Sequence, residues 1–201
     1  MGAKKKTVKP PVGELPVMAF AQPRAWAAWL DTHHASSKGV WLKLAKKGSG
    51  IASVTYAEAL EVALAWGWID GQRRAHDEAA FLQKFTPRGP RSLWSKINRE
   101  KALALIAAGE MKPTGLAAVE RAKREGRWEA AYDSPSRAEA AEDFLAALRA
   151  NPRAQAFFET LNAANRYALY FRLQTVKKAE TRARRIALFV EMLARHEKLH
   201  P

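Results

Sequence analysis

After Phe85 the chain runs Thr86-Pro87-Arg88-Gly89-Pro90-Arg91 before it reaches Trp94. The two prolines fix φ and remove backbone donors, so this segment is expected to be irregular and to divide the chain. Before it, apolar residues alternate over short runs; after it, the spacing is helical almost to the end. The division points to a mostly helical α+β protein, with a small antiparallel sheet in the N-terminal half packed on a C-terminal helical bundle. The Thr86–Trp94 segment is expected near the junction, where clefts commonly form.

Residues 1–16 hold four lysines and Pro10, Pro11 and Pro16 with few apolar anchors, and read as a disordered basic arm. An α+β core is expected over residues 17–133 and a helical region over 134–201. Pro23 suits the first turn of a helix running to about His34, with Trp26, Trp29 and Leu30 on one face. His33 and His34 are neighbours whose side chains diverge on a helix, so a metal pair is not expected there. Gly39–Ala45 alternates as a half-buried strand. Thr55 and Glu58 have capping-box spacing for a helix that ends near Trp66, buries Leu60, Ala63 and Leu64, and stops at Gly67. Trp68–Arg74 and Phe81–Phe85 read as a β-hairpin.

In the second half, Ser95 can cap a helix ending at Gly109, and Thr114–Gly126 makes another. Ser136 with Glu139 has capping-box spacing for a helix to Ala150, and Asn151-Pro152 opens the next. Two more helices are expected over 165–175 and 179–195. The last should turn Ile186, Phe189, Val190 and Leu193 inward, with Arg182, Arg184 and Arg185 mostly outward.

The formal charge is +14, with 16 Lys/Arg against 8 Asp/Glu in residues 1–100 and 18 against 12 in the rest. Such a surplus favours anionic partners: an anionic small molecule or a polyanion, nucleic acid among them. With no cysteine, disulfides, thiolate metal sites and Cys nucleophiles are excluded. No cofactor fingerprint is present, and Lys46–Gly50 lacks the spacing of a phosphate loop. No run approaches the ~18 apolar residues of a membrane span. The first residues carry lysines without a following apolar stretch, so the expected location is cytoplasmic.

Chemistry concentrates in Trp66–Asn98, which holds three of the seven tryptophans. Arg88 and Arg91 offer guanidinium forks to phosphate or carboxylate, and Trp68 and Trp94 could wall a ligand. Asp70 and Asn98 could orient it. Asp70, after an apolar Trp-Ile pair and before Gly71, could also act as a general base, cap a turn, or pair with Arg73 or Arg74. The opposing account of the arginines is that they tie the segment to the helical half while Trp94 anchors a core.

Four runs carry a family resemblance: GWIDGQRR (67–74), QKFTPRGPRSLWSKIN (83–98), GLAAVERAKREGRWEAAYD (115–133) and KKAETRARRIALFVEMLA (177–194). Together they resemble the YdeI/OmpD-associated family, also called bacteriocin-protection proteins, over about Trp26 to the C-terminus. The resemblance implies a link to envelope stress and tolerance of bacteriocins or antimicrobial peptides. It brings no reaction and no catalytic residues. The leading expectation is a stress-associated protein that binds an anionic ligand in a basic cleft. The alternatives are an enzyme on a small phosphorylated or carboxylated metabolite with Asp70 as base, or a protein-interaction scaffold.

Overall fold

A computed structural model describes residues 15–201, so the basic arm expected over residues 1–16 lies almost wholly outside the described residues. Among these, eight helices accompany one four-stranded sheet in the N-terminal half, a mostly helical α+β fold. The chain forms two compact units. The first comprises the described residues up to Ser92 together with Glu100–Gly126, and the second Leu93–Arg99 with Arg127–Pro201. Among the described residues no helix is long and apolar enough to cross a membrane.

In the first unit, strands β1 (Val17–Met18), β2 (Val40–Ala45), β3 (Trp68–Ala75) and β4 (Ala80–Pro87) lie in the order β1-β2-β4-β3. The β2, β4 and β3 pairings are antiparallel, as expected. Two-residue β1, which sequence reasoning did not name, adds a parallel edge beside β2. Strand β4 also runs further than expected, because Thr86 and Pro87 pair with Ile69 and Trp68. Pro87 lies beyond the last pairing with β2, Val40 with Phe85, so this end of β4 has an open side, where proline is tolerated.

Side chains alternate across the sheet, so Val40, Leu42, Leu44, Gln83 and Phe85 share one buried face. Gln83 is the polar member. Its amide donates to the carbonyls of Gly71 and Gln72 at 2.9 and 3.3 Å, where β3 bulges between Asp70 and Arg73.

Helix α1 (Pro23–His33) starts at its proline and buries Trp26 and Leu30. Helix α2 (Tyr56–Ala65) carries the complete Thr55–Glu58 capping box and buries Leu60, Ala63 and Leu64. Helix α3 (Lys96–Ala107) follows Ser95, whose hydroxyl accepts the Asn98 amide at 3.1 Å. Helix α4 (Pro113–Arg124) completes the first unit.

The second unit holds α5 (Glu142–Arg149), α6 (Pro152–Thr160), α7 (Ala163–Gln174) and α8 (Ala179–Ala194) around Phe144, Leu148, Phe158, Leu169, Ile186, Phe189 and Leu193. Asn151 caps α6 ahead of Pro152, as its sequence position suggests. Asn162 caps α7 two residues earlier than expected. The Ser136–Glu139 box does not form. Ser134 instead closes a turn with Arg137 and Ala138, and the helix begins at Glu142, where Asp143 takes a two-pronged contact from Arg182 at 2.6 and 2.8 Å. Arg182 and Arg185 are thus not a solvated face, since each also donates to a carbonyl near the end of α7, Leu173 and Arg172 respectively. Arg184 remains exposed beside Glu180.

Asp133 ties the second unit together. Its carboxylate takes Lys96 at 2.8 Å and the Gln174 amide at 2.6 Å, and its carbonyl accepts from the Tyr167 hydroxyl at 3.1 Å. The Lys96 hydrogen bond, outweighing burial and aided by Gln174, holds this carboxyl below the usual carboxylate range. A pKa depressed on folding contributes stability above the unfolded value, about 3.9, and that stability is lost as pH falls through the folded pKa. Asp133→Asn is therefore expected to cost about 1 kcal/mol at pH 7 and almost nothing once the native carboxyl is protonated. Urea denaturation at both pH values measures the difference, and an equal cost at both would show that the charge is not what Asp133 contributes.

Candidate functional site

The geometry of the first unit is set where α2 ends. Trp66 caps the helix, Gly67 turns left-handed at φ 72°, and Trp68 enters β3. Helix α4 begins directly on this turn: Lys112 N–H donates to the Ala65 carbonyl at 2.9 Å, and the Thr114 hydroxyl donates to the Trp66 carbonyl at 3.0 Å. These bonds satisfy carbonyls that a helix C-terminus otherwise leaves open. Contact is close enough that a Cβ on Gly115 would stand 2.2 Å from the Ala65 oxygen. The end of β4 joins the same turn through Arg88 N–H to the Gly67 carbonyl at 3.0 Å.

A cleft of about 280 Å³ lies among these pieces. Helix α4 presents Thr114, Ala117, Ala118 and Arg121 to it, an i, i+3, i+4, i+7 stripe along one face. Opposite elements supply His34, Trp66, Trp68 and Arg88. The small side chains of Ala117 and Ala118 leave the space, and the arginines give it its charge. None of the lining residues carries a carboxylate.

Arg88 is buried, and its carbonyl accepts from Arg121 Nη2 at 3.2 Å. The Arg121 Nε is buried and has no acceptor among the described residues. Nδ1 of His34 lies 2.9 Å from the Leu30 carbonyl. A carbonyl only accepts, so Nδ1 carries the proton, and Nε2 is the nitrogen available to a ligand. The imidazole rests against Trp66, with centroids 4.6 Å apart.

Of the residues that sequence reasoning selects, Trp68 and Arg88 come together here. Asp70 does not line the cleft. It is half-buried on β3, and its carboxylate accepts from the Tyr56 hydroxyl at 2.8 Å. The Arg73 and Arg74 guanidiniums instead lie over the Phe81 and Trp41 rings, at 3.9 and 4.3 Å. Arg91 is exposed in the turn after Gly89 and does not line the cleft either. Trp94 and Asn98 belong to the second unit. There Trp94 packs edge-on against Trp128, centroids 4.8 Å apart, and its carbonyl accepts from the Tyr132 N–H at 2.9 Å, while the Asn98 backbone N–H donates to the Ser95 hydroxyl.

A larger cleft, about 490 Å³, also reaches Trp66 but is lined by Glu58, Glu61 and Glu110 with Lys112 as its only cation. Its charge repels anions, so the smaller cleft is the better match to a basic chain. Among the described residues, no three His, Asp or Glu side chains gather as a metal site would need.

His34, Trp66 and Arg121 were not selected from sequence. Each lies on a helix or at its end, far along the chain from the others, and only the docking of α4 on the α2 turn brings them together. The one legible sign was the α4 stripe, where paired alanines stand between Thr114 and Arg121 at helical spacing.

No curated protein and no solved structure matches this chain. Two families do match. Residues 18–118 match the family described as Domain of unknown function (DUF8412), and residues 137–196 match the one described as Bacteriocin-protection, YdeI or OmpD-Associated. Of the four motif runs that suggested the second family, three fall inside a match and GLAAVERAKREGRWEAAYD (115–133) lies mostly between the two. GWIDGQRR and QKFTPRGPRSLWSKIN fall inside the first match, whereas KKAETRARRIALFVEMLA falls inside the second. The cleft lies mainly within the first match, which spans half of the chain. The chain thus belongs to the DUF8412 family through residues 18–118 and carries the YdeI/OmpD-associated, bacteriocin-protection domain at residues 137–196.

Proposed function

We propose that this protein binds a small anionic molecule in the cleft between α4 and the Trp66–Trp68 turn, and acts in the cytoplasm in the bacteriocin- or stress-tolerance setting that the family description suggests. The observation that carries the reading is the lining itself, in which Arg88, Arg121 and His34 meet apolar residues and no carboxylate residue. Guanidinium forks match phosphate and carboxylate oxygens, and a partly desolvated site strengthens that attraction. Arg88 and Arg121 supply the charge, His34 Nε2 a further polar contact, and Trp68 backs the wall. Asp70, engaged by Tyr56, is read as a structural acceptor rather than a base. The net charge of +14 gathers anions around the whole chain and raises their local concentration at the cleft.

Inorganic phosphate is the simplest probe. At fixed ionic strength it is expected to raise the thermal midpoint of the full chain in a saturable manner, by the linkage that adds about 2.7 kcal/mol at a hundred times Kd. Arg121→Gln should weaken that response at least tenfold while changing the midpoint without phosphate only slightly, because Arg121 is only half-buried. Arg88 is the poorer choice, since its burial confounds binding with folding. A wild-type midpoint indifferent both to phosphate and to simple carboxylates would overturn the reading. So would binding of heparin alone with steep salt dependence, which would mean generic polyanion attraction.

A further inference from the structure

The cleft has an apolar side that a bare inorganic anion would leave wet. Trp66 and Ala118 are nearly buried, Ala117 and Pro87 are exposed, and all four line the same space as the cations. At about 280 Å³ the space falls just below the range that holds drug-sized ligands. A polymer could touch only its rim, and a lone phosphate would fill only part of it. We propose that the occupant is a small organic anion with a charged head and a flat apolar body, an aryl or similarly compact carboxylate or phosphate monoester.

This rests on the anion-binding reading and sharpens it. The head lies toward Arg88 and Arg121, where guanidinium N–H groups accept the geometry of either acid. The body lies along the α4 stripe at Ala117 and Ala118, against Trp66 and Pro87. His34 sets a further preference. With Nδ1 bound to the Leu30 carbonyl, its neutral form presents an acceptor at Nε2, which suits a ligand O–H, such as the remaining acid proton of a phosphate monoester. Burial of the body is what separates the ligand from the many inorganic anions a basic protein meets.

The test is calorimetric titration of the full chain at constant ionic strength with phenyl phosphate and inorganic phosphate as one pair, and benzoate and acetate as the other. In at least one pair the aryl anion is expected to bind about tenfold or more tightly than its partner. The pair that shows the gain identifies the head group. Ala117→Leu should erase that gain, leaving the aryl anion no tighter than its smaller partner, and should still fold, because Ala117 is an exposed position on a helix that leucine suits well. If circular dichroism shows a lowered melt for that variant, the more pliable Ala117→Met serves the same purpose. Equal affinities within both pairs, or a gain that survives the filled cleft, would overturn the organic body and leave anion binding standing. Failure of all four anions to bind would remove both.

Discussion

Gly115→Ala is expected to destabilise the first unit by about 3 kcal/mol and to abolish its response to phosphate. The sign runs against habit. In an ordinary helix, alanine is better than glycine by about 0.5–1 kcal/mol, because glycine loses more backbone freedom on folding. Gly115 sits in the first turn of α4, so that gain is available. The neighbours decide otherwise: the added Cβ would lie 2.2 Å from the Ala65 oxygen, 3.0 Å from the Ala65 carbonyl carbon and 2.6 Å from the Met111 sulfur. Methionine can swing aside. The Ala65 carbonyl cannot, for it is the last turn of α2 and already accepts the Lys112 N–H. Helix α4 must therefore back away from α2, stretching the Lys112 and Thr114 bonds and opening the cleft. Gly109→Ala is the fitting control. That glycine is left-handed at φ 70° with nothing within 4 Å of its Cβ, so only the conformational cost of about 1 kcal/mol applies. Urea denaturation of both variants decides the matter: a Gly115 variant no worse than the Gly109 one would mean that close approach does not hold α4 in place.

The same contacts explain what the sequence discloses and what it conceals. Local signals were reliable wherever one residue's own chemistry fixes its neighbours. Pro23 opens α1, Thr55 and Glu58 cap α2, Gly67 ends it, and Asn151-Pro152 opens α6. They failed where a distant partner wins. Val17–Met18 is too short to show a period and is a strand only because β2 offers it an edge. Ser136 and Glu139 have the spacing of a cap, yet the Ser134 turn and the Arg182 contact to Asp143 move the helix start to Glu142. The site followed the same rule. Trp68 and Arg88 were legible because the Trp/Arg-rich stretch carries both. Arg121 looked like any charge on an amphipathic helix, and its partners come from elements dozens of residues away.

The second large effect concerns the hub beneath the cleft. Trp26→Ala is expected to cost about 4 kcal/mol, a large share of the 5–15 kcal/mol that stabilises a typical domain. Trp26 is fully buried, and its indole N–H donates to the Ala59 carbonyl at 3.1 Å, joining α1 to α2. Around it stand Phe20, Trp29, Phe85 and Trp68, with ring centroids 5.4 to 6.1 Å away. Alanine removes the whole ring from a site whose neighbours belong to two helices and two strands, so collapse can fill little of the cavity. Trp26→Phe keeps most of the volume and loses the hydrogen bond, and should cost about 1–2 kcal/mol. Trp29→Ala, at a half-buried ring, should fall in the same smaller range. The three variants separate packing from hydrogen bonding, and a further reading follows from Trp68, which lies edge-on to Trp26 and also lines the cleft. Loss of the Trp26 ring frees Trp68 to tilt inward, so Trp26→Ala should weaken phosphate binding even in the fraction that stays folded, while Trp26→Phe should not. Denaturation curves paired with phosphate titrations below the unfolding transition measure both effects. Undiminished binding in Trp26→Ala would show that the wall of the cleft stands without the hub behind it.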